Sequence, residues 1–242
     1  NEKVTEFMAE DLDKPIGVND QEQLVSAELV LQNKLRKYWL SVGVSMDDPS
    51  TTYFGANVKL GSGISIGHNT VLSGKTIIGS GSKIGPNAVI RDSVVADNVS
   101  IGSSYLNKVE VGLNVVIENY NTLREGTNLA ENVQIGNHVE IKNSTVGAGS
   151  FIRHFSYIGD SILGERVNVG AGVITCNYDG TTKHKTIIED GAFIGSGTML
   201  VAPLKIGRNA ITGAGSVVLK DVDPGVTVGG VPANQLSSKK SR

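Results

Sequence analysis

The sequence is poor in the residues that staple, kink or anchor a chain: one cysteine, six prolines, one tryptophan, five phenylalanines and six tyrosines in 242 residues. A lone cysteine, Cys176, cannot form an internal disulfide, so a reducing cytoplasm is the expected setting. No stretch reaches the roughly 18–20 apolar residues of a bilayer-crossing helix, so no membrane span is expected. The formal net charge of −2 argues against nucleic acid as a general partner, which calls for a basic excess. It leaves room for a local basic pocket. Glycine and proline follow no collagen period, and a hydrophobic fraction of 39% is too high for a disordered chain. The chain opens at Asn1 without a methionine or a signal-peptide pattern, and it reads as a fragment of something longer.

What the sequence has is β-branched residues and glycine. There are 29 valines, 20 isoleucines and 30 glycines, a balance that favours strand over helix. The aliphatic residues recur every six positions. One register holds Leu60, Ile66, Leu72, Ile78, Ile84 and Ile90; a second, Val111, Ile117, Leu123, Leu129, Ile135 and Ile141; a third, Ile188, Ile194, Leu200, Ile206, Thr212 and Val218. Glycine often follows, as at Gly61, Gly67, Gly136 and Gly195. A period of six is neither the 3.6 of a helix nor the 2 of a plain strand. It is the spacing of a β-solenoid, one short strand and a bend per hexad, with the aliphatic side chain stacked inward. Three hexads close one coil, and coils about 4.8 Å apart predict nine or ten of them over residues 52–223, a prism about 45 Å long.

The departures from the period predict the rest of the organisation. The phase slips between Ile90 and Val111, which predicts a bulge or short loop. A polar insertion from Thr175 to Ile187 interrupts the repeat, and loops on a rigid scaffold are where binding chemistry concentrates. Residues 20–42 read as one helix, opened by an Asp20/Gln23 capping box and stopped at Gly43, with Leu24, Ala27, Leu31, Leu35 and Tyr38 as its buried stripe. The divisions expected are a remnant of an absent domain over 1–18, a linker helix over 19–45, the solenoid over 46–225 and a frayed tail over 226–242.

A solenoid alone says little about activity, so the polar residues carry that question. The densest set is Arg124, Lys142, His154, Tyr157, Asn168 and the insertion, with Asn177, Tyr178, Lys183 and Lys185. Arg124 and Lys142 lie one coil apart and stack on one edge. They are either two solvated surface cations or a site for an anion such as phosphate. His154, twelve residues beyond Lys142, is expected in the same neighbourhood, either as an incidental loop histidine or as a base near neutral pH. No histidine pair has metal-ligand spacing, so no metal is expected. Cys176 reads as a small loop residue, not a nucleophile.

The runs His154-Phe-Ser-Tyr-Ile-Gly-Asp160, Asn168-Val-Gly-Ala-Gly172, Thr175-Cys-Asn-Tyr-Asp-Gly180, Lys185-Thr-Ile-Ile188 and Leu200-Val-Ala-Pro203 together resemble the GlmU family. Its members join an N-acetylglucosamine-1-phosphate uridyltransferase to a glucosamine-1-phosphate N-acetyltransferase. The resemblance covers about residues 16–225 and matches the acetyltransferase half. It implies a mostly β fold, a left-handed parallel β-helix of hexapeptide repeats. It also implies transfer of acetyl from acetyl-CoA to the sugar amine, on the route to UDP-N-acetylglucosamine and the precursors of peptidoglycan and lipopolysaccharide. Carried over, it makes His154 the general base, and it puts Arg124, Lys142, Tyr157, Asn168 and Lys183 on the sugar phosphate. Ala171, whose N–H polarises the thioester carbonyl, falls on acetyl-CoA with Asn177, Tyr178, Ser196 and Ala214. The resemblance implies a homotrimer with sites between subunits, and no metal for acetyl transfer. Magnesium belongs to the absent uridyltransferase domain, which Asn19 matches. The chain departs from the family at Glu125, where a proline is frequent, and at Gly230, where an arginine commonly meets CoA. Lys239 or Lys240 is the expected substitute there. The Gly230 departure keeps open an acyltransferase for another amino sugar, and a silent trimerisation module is the remaining alternative.

Overall fold

The computed structural model describes residues 17–236. Most of the remnant expected over 1–18, and both Lys239 and Lys240, lie outside the described residues.

The six-residue pattern folds into a three-faced solenoid. Two- and three-residue strands stack in register into parallel sheets of twelve, ten and nine strands, the twelfth strand of the first sheet running antiparallel. One coil contributes Phe151–Ile152 to the first face, Tyr157–Gly159 to the second and Ser161–Leu163 to the third. Each strand turns one aliphatic side chain inward, and these form a continuous core in which Ile66, Leu72, Ile84, Ile90, Ile117, Leu123, Ile135, Ile141, Ile152 and Ile158 are at most 1% exposed. Thr212, the one non-aliphatic member of the register, is fully buried. It is accommodated because its hydroxyl bonds the Gly195 N–H at 3.0 Å and faces the Thr198 hydroxyl at 3.1 Å.

No loop fills the phase slip between Ile90 and Val111. The repeat runs on through Val95, Ile101 and Leu106, all buried, and three of its steps there are five residues long. Two of the shortened corners turn on Asp92 and Lys108 at φ 46° and 54°, as Asn143 and Asp160 do later at 46° and 49°. There the left-handed residue comes second after the inward aliphatic residue, where six-residue corners have it third, as at Asn69 and Asn98, and the ladder keeps its register. The chain beyond Pro224 does not simply fray: Thr227–Gly229 pairs parallel with Ile211–Thr212 and folds back on Asn234–Gln235.

A helix, α1 (Gln21–Ser41), precedes the solenoid. Asp20 caps it by accepting from the Gln23 N–H at 2.8 Å, and Gln23 answers on the Asn19 N–H, one residue earlier than a standard capping box. Of the expected stripe only Leu35 packs against the core. Leu24, Leu31 and Tyr38 are 49%, 39% and 56% exposed, whereas Gln32 and Trp39 are buried. The reason is the open edge of the second sheet. Phe54 lies in its first strand, with no coil below to pair with, and Gln32 meets its carbonyl at 2.7 Å and its N–H at 2.9 Å. Arg36 adds a bond to the Thr52 carbonyl at 2.9 Å. The helix docks by the polar groups that close a strand edge, a need hydrophobic patterning does not reveal.

Candidate functional site

Two edges of the prism flank the second face, and between them they carry nearly all the polar residues singled out in the sequence. The edge between the first and second faces is a column of three-residue corners. It reads Glu118-Asn119-Tyr120, Gly136-Asn137-His138, Arg153-His154-Phe155, Gly170-Ala171-Gly172, Gly195-Ser196-Gly197 and Gly213-Ala214-Gly215. Backbone bonds tie each corner to the next: His138 N–H to Asn119 O at 3.2 Å, Phe155 N–H to Asn137 O at 3.1 Å, Gly172 N–H to His154 O at 2.8 Å, Gly197 N–H to Ala171 O at 2.7 Å and Gly215 N–H to Ser196 O at 2.8 Å. His154, Ala171, Ser196 and Ala214 therefore occupy equivalent places in four successive coils.

A second ladder along this edge orients the histidine. Asn119 Oδ1 accepts from the Ser103 N–H at 3.0 Å, Asn137 Oδ1 from the Asn119 N–H at 2.9 Å, and His154 Nδ1 from the Asn137 N–H at 3.2 Å. Asn137 is itself held by Glu118 at 2.7 Å. With Nδ1 accepting, the neutral ring carries its proton on Nε2. The ladder ends there. Ala171 has no side-chain acceptor, and among the described residues the corner N–H groups of His154, Ala171, Ser196 and Ala214 donate to no protein atom. The edge changes character at the same tier, from stacked rings to glycine. It becomes a shallow trough lined by free backbone donors.

The edge between the second and third faces is cationic. Arg124 and Lys142 stack one coil apart, the Arg124 N–H bonding the Ile141 carbonyl at 2.9 Å, as their 18-residue spacing required. Arg124 pairs with Glu140 at 2.9 Å. Lys183 reaches down from the insertion to Lys142. As hydrogen-bond partner and as charge it pushes the Lys142 ammonium below the ordinary lysine range; Arg124 adds to the shift and Asp160 opposes it. Cations crowded this way favour an anion that relieves their repulsion. Glu125, the departure expected to alter this corner, points to Lys108 at 3.1 Å. Gly126 takes the turn at φ 81°.

The insertion folds into a small hairpin. Tyr178 bridges Lys183, and Asp179 gathers the Thr181 and Thr182 N–H groups at 2.8 and 2.7 Å and His184 Nε2 at 2.6 Å. These contacts, the Thr182 N–H foremost, hold the Asp179 carboxyl far below the usual carboxylate range. Asn177, 7% exposed, anchors the hairpin by donating to Asp160, which also accepts from Asn143 at 2.6 Å. Tyr157 lies across the face toward this corner. A Cβ on Gly159 would come within 2.5 Å of Tyr157 Oη and 2.8 Å of Asn177 Nδ2, so a larger residue there would displace these two side chains.

The structure thus groups the residues differently from the sequence reading. Lys142 and His154 do not share an edge; they sit at opposite ends of the second face, because the chain between them turns two corners and a full coil takes three. Asn177 and Tyr178 stand on the cationic edge, across the face from Ser196 and Ala214. Asn168 lies on the first face, between Phe151 and Phe193 in register and three residues before Ala171. Gly230, at φ 95°, makes the turn of the last hairpin. The Asn119–Asn137 ladder, the ring stack of Tyr120, His138 and Phe155, and the Asp160 and Asp179 anchors were missed. The spacings of 18 and 17 between Asn119, Asn137 and His154 were the available signal. Among the described residues no group of three or more His, Cys, Asp or Glu side chains gathers to hold a metal ion.

Comparisons with known proteins bear on the family and the fold. The model of the bacterial transferase hexapeptide (six repeats) matches residues 185–220. The "Bifunctional protein GlmU" of Heliobacterium modesticaldum is 45% identical over 227 residues, 94% of this chain and 48% of that protein. That of Carboxydothermus hydrogenoformans is 48% identical over 206 residues, 85% of this chain and 46% of its own. The chain spans about half the length of these relatives, and the matching half is the C-terminal one. Among solved structures, a UDP-N-acetylglucosamine acyltransferase from Campylobacter jejuni superposes with a TM-score of 0.59 at 17% identity, covering 80% of this chain and 74% of that one. This last likeness speaks for the fold.

Proposed function

The chain belongs to the GlmU family, as the counterpart of the C-terminal half of its members, and from that premise we propose that it transfers the acetyl group of acetyl-CoA to the amine of glucosamine-1-phosphate. The observation that carries the reading is the pairing of two edges on one face. One holds a histidine at the end of a trough of free N–H donors, and the other a cluster of cations.

The sugar phosphate lies across the second face, its phosphate drawn to Arg124, Lys142 and Lys183 and its amine toward His154. Tyr157, between the two edges, supports the sugar, and Asn168 approaches from the first face. The CoA arm follows the trough past Ala171, Ser196 and Ala214. The Ala171 N–H, one tier above His154 and without a protein acceptor, is placed to bond the thioester oxygen as it gains negative charge. The amine nitrogen attacks the carbonyl carbon, the C–N bond forms and the C–S bond breaks. His154 takes the amine proton and returns it to the departing thiolate, leaving N-acetylglucosamine-1-phosphate and CoA. Base action uses whichever ring nitrogen holds the lone pair. His154 must therefore release the Asn137 N–H, and either accept at Nδ1 or shift its proton from Nε2 to Nδ1 and present Nε2.

Asn177 and Tyr178 stand on the other edge of the second face from Ser196 and Ala214 of the same chain. We assign them to a neighbouring copy's cofactor, which requires an assembly of parallel prisms, a homotrimer, with sites between subunits. Residues 46–225 form the acetyltransferase domain in this reading, and magnesium has no part in its reaction. A CoA-release assay tests it, with glucosamine-1-phosphate beside glucosamine and other sugar phosphates. Thiol release specific to glucosamine-1-phosphate is expected. Release with another amino sugar alone would reassign the substrate, and none with any acceptor would overturn the reading.

A further inference from the structure

The ring stack beside His154 has no part in the chemistry above. Tyr120, His138 and Phe155 occupy the third position of three successive corners, at φ 62°, 59° and 56°. Their rings stack with centroids 5.1 and 5.0 Å apart and planes 18° and 4° from parallel. That spacing is close to the coil rise of about 4.8 Å, so the rings are piled along the prism axis. The next three places in the column are Gly172, Gly197 and Gly215. The upper face of Phe155 is consequently bare, and the residue is 68% exposed. A side chain this apolar, held outward at a backbone angle that asparagine or glycine takes at less cost, is an unusual choice for a corner. The column has asparagine at other corners of this edge, Asn69 and Asn87.

We propose that Phe155 is the end wall of the acyl-donor trough and restricts the transferred group to acetyl. The inference rests on the acetyl-CoA reading above and deepens it. A thioester whose arm runs over Gly215, Gly197 and Gly172 brings its carbonyl to the tier of His154 and Ala171. Its acyl carbons continue down the same line and meet the face of the Phe155 ring. A methyl group packs against that face. Two further methylenes cannot continue on that line, because His138 lies directly beneath the ring at 5.0 Å and the ring cannot move down. A pocket that turns on one methylene discriminates by roughly 10–200-fold.

The test measures binding by calorimetry, without sugar, to the native chain and to Phe155→Gly, using acetyl-, propionyl- and butyryl-CoA. Glycine suits a φ of 56°, and Phe155→Asn is a second variant that also tolerates it. The native chain is expected to bind acetyl-CoA at least about tenfold more tightly than butyryl-CoA, and both variants to bring the ratio within about threefold. Equal affinities in the native chain, or a ratio that the variants leave unchanged, would overturn the inference. A ratio that collapses in the variants while glucosamine-1-phosphate accepts no acetyl upholds the wall and refutes the sugar assignment alone. Failure to bind any acyl-CoA would overturn both.

Discussion

Replacing His154 by asparagine separates its chemistry from its place in the fold. In successive coils Asn119, Asn137 and His154 do the same structural task, each side chain accepting from the corner N–H one tier below. Asparagine at 154 can supply an Oδ1 where Nδ1 now sits, as Asn137 already does at 2.9 Å. Alanine cannot. Loss of the 3.2 Å contact leaves the half-buried Asn137 N–H without its partner, a cost of no more than about 1 kcal/mol because water reaches it. For a chain of this size that is a fall of about 2–4 °C in Tm. The loss of a general base is larger by far, roughly 100- to 10,000-fold in kcat. We therefore expect His154→Asn to keep Tm within about 1 °C of the native value and to lose at least about a hundredfold in kcat for CoA release. His154→Ala should lose both. Turnover by His154→Asn within about tenfold of native would remove the base role. Equal destabilisation by the two variants would refute the ladder.

Two further outcomes follow from contacts away from the reacting atoms. Asp179 is held in its charged form by Thr181, Thr182 and His184, so its contribution to the hairpin is present above the ordinary carboxylate range near 4 and is lost only as pH falls through its lower folded value. An NMR titration of its carboxyl carbon should show a midpoint well below 4, and a midpoint in the ordinary range would contradict the contacts; Asp179→Asn should make the 177–185 segment protease-sensitive at neutral pH. Gln32→Leu should strand the buried Phe54 N–H and carbonyl, lowering Tm by at least roughly 5 °C and shifting the emission of Trp39, the single tryptophan, to longer wavelength as the helix lifts. An unchanged Tm would mean that the helix does not close the sheet edge.

What was readable in the sequence and what was not divides along one physical line. The inward column from Ile66 to Val218 was readable because burial imposes a period on the chain itself: every coil must place an aliphatic group at the same angle. The stacking of Arg124 on Lys142 followed from that period. The helix was readable as a helix, but its buried face was not. The groups it meets, the Phe54 N–H and carbonyl, belong to the backbone, which leaves no mark on hydrophobic pattern. The five-residue steps through Val95 and Leu106 looked like a break because a corner one residue shorter still keeps the ladder in register, a freedom that spacing does not record.

The sequence by itself therefore determined the solenoid, the presence of an insertion, which the structure narrows from 175–187 to 177–185 because Ile174–Cys176 and Thr186–Ile188 pair in the ladder, and, through ordered motifs of the resemblance, the residues to watch. Only the tertiary structure decided how they meet. The His154 N–H is free because Ala171, one tier above, has no side-chain acceptor, and the Ala171 N–H is free because Ser196 does not accept from it. The bare face of Phe155 exists because the next residue in its column, seventeen positions on, is glycine. Each is a relation between coils, set by stacking along the axis, and a linear reading sees only the residues that enter into it.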